Sequence, residues 1–181
     1  MGEYRTRRIV YLVCFVSIFQ PFTSAFSEED QYRLSLKGLK GINVTISLSD
    51  EIKDINLKGL TEFIRNDAEV RLRMAGINVV SGNEVYKIPG TPQLNISVSG
   101  YRVETIPTKQ EVGLAFAIRV ELLQSTNLRR EPSITVLANT WDYMVIGWCQ
   151  RDKINAIRDG VKTSVDFFIN AYLSVNPKGG K

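Results

Sequence analysis

Four stretches of this chain alternate apolar with polar residues one by one, and no other feature constrains its fold as strongly. Ile42, Val44, Ile46 and Leu48 are separated by Asn43, Thr45 and Ser47, and Leu94, Ile96 and Val98 by Asn95 and Ser97. The longest run sets Val112, Leu114, Phe116, Ile118, Val120 and Leu122 against Gly113, Ala115, Ala117, Arg119 and Glu121; a shorter one sets Ile134 and Val136 against Ser133 and Thr135. Successive side chains of a strand point to opposite faces, so each run predicts a strand with one apolar and one polar side. A parallel sheet covered on both faces would read instead as unbroken apolar runs. A brief further strand is predicted over Ile77 to Val80.

An apolar sheet face needs a cover, and two helical segments are available, Leu60 to Ala75 and roughly Asp152 to Leu173. Gly76 supplies the C-cap of the first, and the second fades at Asn176-Pro177. On the second, Ile154, Ile157, Val161, Val165, Phe168, Ile169 and Tyr172 fall on one stripe at helical spacing. The expected fold is α+β: a two-layer sandwich with a mostly antiparallel sheet of about five strands and two helices on one face, in the order β-α-β-β-β-β-α.

The first 25 residues read as a targeting segment outside that fold. Arg5, Arg7 and Arg8 precede an apolar run from Ile9 to Phe19, and Thr23-Ser24-Ala25 is a small-residue exit of the kind a signal peptidase cuts. Eleven residues fall short of the roughly 20 that span a bilayer, so export with cleavage near Ala25 is expected, to the periplasm or beyond. What remains is read as one domain over 26–175 and a flexible tail over 176–181. Cleavage removes three basic and one acidic residue, leaving 20 basic and 18 acidic groups, a net charge of +2. So small and scattered an excess argues against nucleic acid as a partner.

The run Gly59-Leu60-Thr61, then Asp67-Ala68-Glu69-Val70-Arg71-Leu72-Arg73-Met74-Ala75-Gly76-Ile77, then Ala138-Asn139-Thr140-Trp141, and finally Val165-Asp166-Phe167-Phe168-Ile169 ending in Tyr172-Leu173-Ser174-Val175-Asn176-Pro177, resembles a family of exported bacterial α+β proteins. That resemblance covers most of the chain beyond the leader and carries over no catalytic residue. In architecture the chain is also similar to small periplasmic modules that accompany envelope assembly, such as the lipopolysaccharide-assembly lipoprotein. The likeness implies an accessory role, with an envelope protein or a membrane-associated component as partner.

The inventory of reactive groups points the same way. The chain has no histidine, which removes imidazole acid/base chemistry, His-containing triads and His metal ligands. Cys149, alone beyond the leader, lacks an imidazole to activate it and reads either as a buried inert thiol or as a reactive or intermolecular one. No glycine-rich phosphate loop follows a strand, and no cofactor or metal site is expected. The oddest feature is Asp67 with Arg71, four apart in the middle of what reads as the apolar face of the first helix, formed by Leu60, Phe63, Ile64, Met74 and Ala75. They are expected to pair with each other, as a buried charge pair kept for a site or as an ion pair lodged at the layer edge. A small hydrolase or transferase using them in a cleft is the rival to a non-enzymatic binding module; a serine or lysine beside them would favour it.

The binding reading rests on apolar residues predicted to face water. Strand parity places Trp141 outward with Leu137, and Leu123 outward on the long strand, while Asp142 to Cys149 reads as an unusually apolar loop carrying Met144, Ile146 and Trp148. Phe167 falls off the apolar stripe of the second helix. These residues are expected to form one patch, unless the loop folds back as a satellite core and Phe167 meets the N-terminal segment.

Overall fold

A computed structural model describes residues 28–53, 59–150 and 155–177. The leader and its cleavage site lie outside them, as do the ends of the chain from 178 onward. The described elements are α1 (Glu28–Leu34), β1 (Asn43–Leu48), α2 (Asp50–Lys53), α3 (Leu60–Met74), a 3-10 turn (Val85–Lys87), β2 (Gln93–Glu104), β3 (Glu111–Leu128), β4 (Glu131–Cys149) and α4 (Asn155–Val175). The strands form one mixed sheet in the order β1-β2-β3-β4. β1 runs parallel to β2, and the other two pairings are antiparallel. The parallel pair follows from its connection, which passes through α2 and α3 and so returns the chain in the same direction.

The fold is α+β, but the element count differs from expectation. Among the described residues there are four strands, because the Ile77 to Val80 segment contributes only a bridge from Val79 to Ile42. There are four helices instead of two, since α1 and α2 carry too few residues to show an apolar stripe.

The alternating residues behave as their spacing requires. Val44, Ile96, Phe116 and Ile118 are buried in one core, whereas Thr45 and Ser97 are partly exposed and Thr135 is exposed. Val136 is only half-buried, because the β3–β4 hairpin runs past the end of β2, whose first residue pairs with Leu123. α4 contributes Ile157, Val161, Val165, Phe168 and Ile169 to the core and lies close against β3. A Cβ at Gly160 would stand 2.6 Å from the Ile118 side chain, so that mid-helix glycine is what admits the close approach.

α3 ends where Gly76 predicts. Gly76 takes φ 84°, its N–H reaches Arg73 O at 2.9 Å and the Ile77 N–H reaches Leu72 O at 2.9 Å, which satisfies two of the last carbonyls. The buried face of α3 is Leu60, Ile64, Ala68 and Leu72, a pure four-residue series. Phe63 and Met74, expected on that face, are exposed. The face is therefore rotated away from them, and Asp67 and Arg71 move from its centre to its border.

Candidate functional site

β4 carries most of the residues expected to contact a partner, and its path corrects two expectations. Asp142 to Cys149 is not a loop but the second half of the strand, paired with β3 from Glu121↔Asp142 to Leu114↔Cys149. The stretch escapes a period-two reading because both its faces are apolar. Trp141 is not outward: it is 6% exposed and meets Phe168 of α4 edge to face, ring centroids 5.1 Å apart.

The cause of the second correction is one extra residue. Leu122 pairs with Trp141 while Leu123 pairs with Asn139, so Thr140 has no partner of its own and bulges. A bulge reverses parity, and every residue after it faces opposite to what counting from Ile134 gives. The bulge is secured by its own side chain: the Thr140 hydroxyl donates to Leu122 O at 3.2 Å and accepts from the Gln124 amide at 2.7 Å. That amide also donates to Ser35 O, and the Ser35 hydroxyl donates to Thr140 O at 2.8 Å, which ties the end of α1 to the bulge.

Beyond the bulge, Met144, Ile146 and Trp148 project from the outer face and are 56%, 73% and 55% exposed. The register continues them across the sheet: Trp148 lies beside Ala115 and then Tyr101, and Ile146 beside Ala117 and then Ser99. Ala115 and Ala117 keep the floor low, and the Trp148 indole lies over Gly113, where a Cβ would stand 3.0 Å from its Nε1. The strip is thus a shallow apolar surface with one indole on it.

Leu123 and Leu137 do not join that strip. Leu137 is exposed and Leu123 half-buried, both on the outer face, but a polar belt separates them from Met144. Arg119 donates to Asp142 at 3.1 Å, also approaches Glu121 at 3.5 Å, and Glu121 accepts from the Asn95 amide at 3.0 Å. Nor does Phe167 join it. Its ring, 47% exposed, stacks on Tyr143 at 4.3 Å and lines a cleft of ≈ 520 Å³ with Tyr32, Arg33, Trp141, Asp142, Asn170 and Ala171, on the side of α1 and α4. Cys149 is buried.

Asp67 and Arg71 are not paired with each other. The Arg158 guanidinium donates to Asp67 at 2.8 Å, with Lys162 at 3.9 Å from the same carboxylate, and Arg71 donates to both oxygens of Asp166 at 2.7 Å. Their side chains are 28% and 37% exposed, so these are part-exposed ties between α3 and α4 and not a buried pair. Arg158 also lies over the Phe63 ring at 5.0 Å. The partners were legible, since Arg158, Lys162 and Asp166 recur every four residues and so form one charged stripe on α4. A groove of ≈ 400 Å³ between the helices is lined by Asn66, Asp67, Val70, Arg71, Met74 and Lys162. It includes a lysine but no serine or cysteine. Among the described residues no group of three acidic or cysteine side chains is placed to hold a metal ion.

Fold and site together define an α+β domain with a mixed four-stranded sheet whose edge strand exposes an apolar strip. No protein-family model matches the chain, and no curated protein matches it in sequence, so the family read from the Gly59-Leu60-Thr61 and Asp67 to Ile77 motifs finds no counterpart there. Among solved structures it is similar to the crystal structure of the rare lipoprotein B from Shewanella oneidensis, at 14% identity and a TM-score of 0.37, over 74% of this chain and 96% of that one.

Proposed function

We propose that the chain is an exported, periplasmic accessory module without enzymatic activity, which binds an envelope protein through the outer face of β4. The observation that carries this reading is the strip Met144, Ile146 and Trp148, exposed on a regular strand and bordered by the Arg119, Asp142 and Glu121 belt. An apolar centre with an aromatic anchor and a polar rim is the composition of a protein interface. The Arg5, Arg7, Arg8 and Ile9 to Phe19 leader supports export. No helix among the described residues is long and apolar enough to cross a membrane.

The test is recovery of the tagged protein with its partner from intact envelopes. Trp148→Ala is expected to lose the partner while melting as the wild type does, because loss of a central interface Trp commonly costs about 2 kcal/mol or more, roughly thirtyfold in affinity. A destabilised variant that still recovers the partner once folded overturns the reading.

The second reading, a hydrolase or transferase in the α3–α4 groove, draws on Lys162 standing beside Asp67. Against it, Asp67 and Arg71 are each engaged by an opposite charge on α4, and the lining offers no hydroxyl or thiol nucleophile. The groove reads better as the seam where two helices are tied.

A further inference from the structure

The two outer edges of the sheet are protected very unequally. Just before β1, the 77–80 segment takes both backbone groups of Ile42, with Ile42 N–H to Asn78 O and Val80 N–H to Ile42 O, each 2.9 Å, and on β1 itself Arg65 donates to the Val44 carbonyl at 2.6 Å. The first half of β4 is guarded as well. It opens with Glu131-Pro132, carries the Thr140 bulge, and its Thr140 carbonyl is taken by Ser35. Charges, prolines, bulges and covering segments are the devices by which sheet edges avoid pairing with other chains.

From Tyr143 to Trp148 none of these devices recurs among the described residues. The stretch has no charge, no proline and no bulge, and among the described residues no strand lies on its outer side. Both of its faces are apolar, with Tyr143 and Val145 packed against the core and Met144, Ile146 and Trp148 outward. An uncharged, unbulged edge strand carrying exposed apolar residues is a template for pairing with another chain.

We propose that a second copy of this chain completes the sheet, its β4 pairing antiparallel with this one about a two-fold axis at Ile146. The segment complements itself in that register. Ile146 meets Ile146 of the second copy, Met144 meets Trp148 as a sulfur–aromatic contact, and Val145 meets Gly147, so that no charge is buried and no like charges oppose each other. Closure follows from the other edge, because the pair presents only its two β1 edges, whose first part the 77–80 segment and Arg65 already occupy, and assembly stops at two copies. The proposal concerns the edge of β4 and not its outer face, so it does not depend on the accessory reading.

Light scattering on the size-separated full chain, beside Ile146→Lys and Ile146→Cys, tests it. The wild type should have the mass of two copies. Ile146 is largely exposed, so Ile146→Lys should keep the spectrum and melting of the fold, yet raise the dissociation constant about tenfold or more, since two lysines then face each other across the axis. Opposed residues of an antiparallel pair stand roughly 4.5 to 5.5 Å apart at Cα, within disulfide reach. Ile146→Cys in a Cys14→Ser background should therefore give a reducible covalent dimer that Cys14→Ser alone does not. A wild type of single mass, or a dimer indifferent to Ile146→Lys and not cross-linked through Ile146→Cys, overturns the proposal. If Ile146→Lys fails to fold, the cysteine variant decides.

Discussion

The two tryptophans of this chain sit seven residues apart on one strand and have opposite fates. Trp141 is sealed against Phe168 beneath the sheet, and Trp148 lies open on the outer face above Gly113. An odd separation on a regular strand always puts two residues on opposite faces; the bulge at Thr140 is what lets Trp141 face inward while Val136 before it does so too. Parity counted from Ile134 without the extra residue would place Asp142 inward and Trp141 outward. A single bulge therefore lets one indole enter the core and leaves the other exposed.

The sharpest way to break this comparison is to truncate the inner tryptophan. Trp141→Ala removes an indole that fills the space between β4 and α4, and is expected to cost about 3 to 5 kcal/mol, a large share of the stability of a domain this size. Chemical denaturation measures it. A loss below 1 kcal/mol would mean that the indole is not sealed and that the two ends of β4 are alike.

Deleting Thr140 asks which half of the strand holds the other in place. The half after the bulge carries Trp141 and Cys149 in the core, while Val136 and Ala138 before it are only half-buried. The outer half of the hairpin should therefore turn over, leaving Trp141 inside, at the cost of the bonds among Thr140, Gln124 and Ser35. Three net hydrogen bonds suggest about 1.5 to 4.5 kcal/mol. Quenching of tryptophan fluorescence reads the outcome: if Trp141 becomes accessible, the half after the bulge has yielded instead.

The bulge also marks the limit of what the sequence discloses. Strands β1, β2 and β3 were legible because one apolar face repeats at period two, and α4 because its stripe repeats at helical spacing. Parity counted from Ile134 fails at Thr140, since a bulge changes no composition. The stretch from Tyr143 to Trp148 hides for another reason: apolar on both faces, it has no alternation to read. Its richness in β-branched and aromatic residues, with no turn residue before Gly147, was the available signal. On α3 the presence of Phe63 and Met74 turns the apparent apolar face toward Asp67 and Arg71, whereas packing selects Leu60, Ile64, Ala68 and Leu72. The candidate patch was thus legible in Met144, Ile146 and Trp148, but its extent was not. Leu123 and Leu137 lie beyond a belt of charges that only the register brings together.

Between the two tryptophans on the same energy scale stand the helix ties. Asp67→Ala removes a carboxylate that accepts from Arg158 and faces Lys162 at a part-exposed seam, and such pairs contribute about 0.2 to 1 kcal/mol. The loss should shrink as salt is added, since screening weakens exposed charges first. A loss of several kcal/mol that ignores salt would show a buried charge instead, and would make the seam resemble the Trp141 end of β4.

The smallest expected effect is at Trp148. Its ring covers Gly113 but closes no cavity, so Trp148→Ala should change stability by no more than about 0.5 kcal/mol, as exposed substitutions do. Because the chain has two tryptophans, each single replacement by phenylalanine leaves one reporter. With Trp141 alone, a soluble quencher should have little effect; with Trp148 alone it should act strongly, and addition of the bound partner should then protect the emission. Protection without destabilisation is what separates an interface residue from a core residue. If Trp148→Ala instead lowers the melting temperature as far as Trp141→Ala does, the indole is packed by chain outside the described residues. The outer end of β4 would then be a second core, and the apolar strip would no longer be open to a partner.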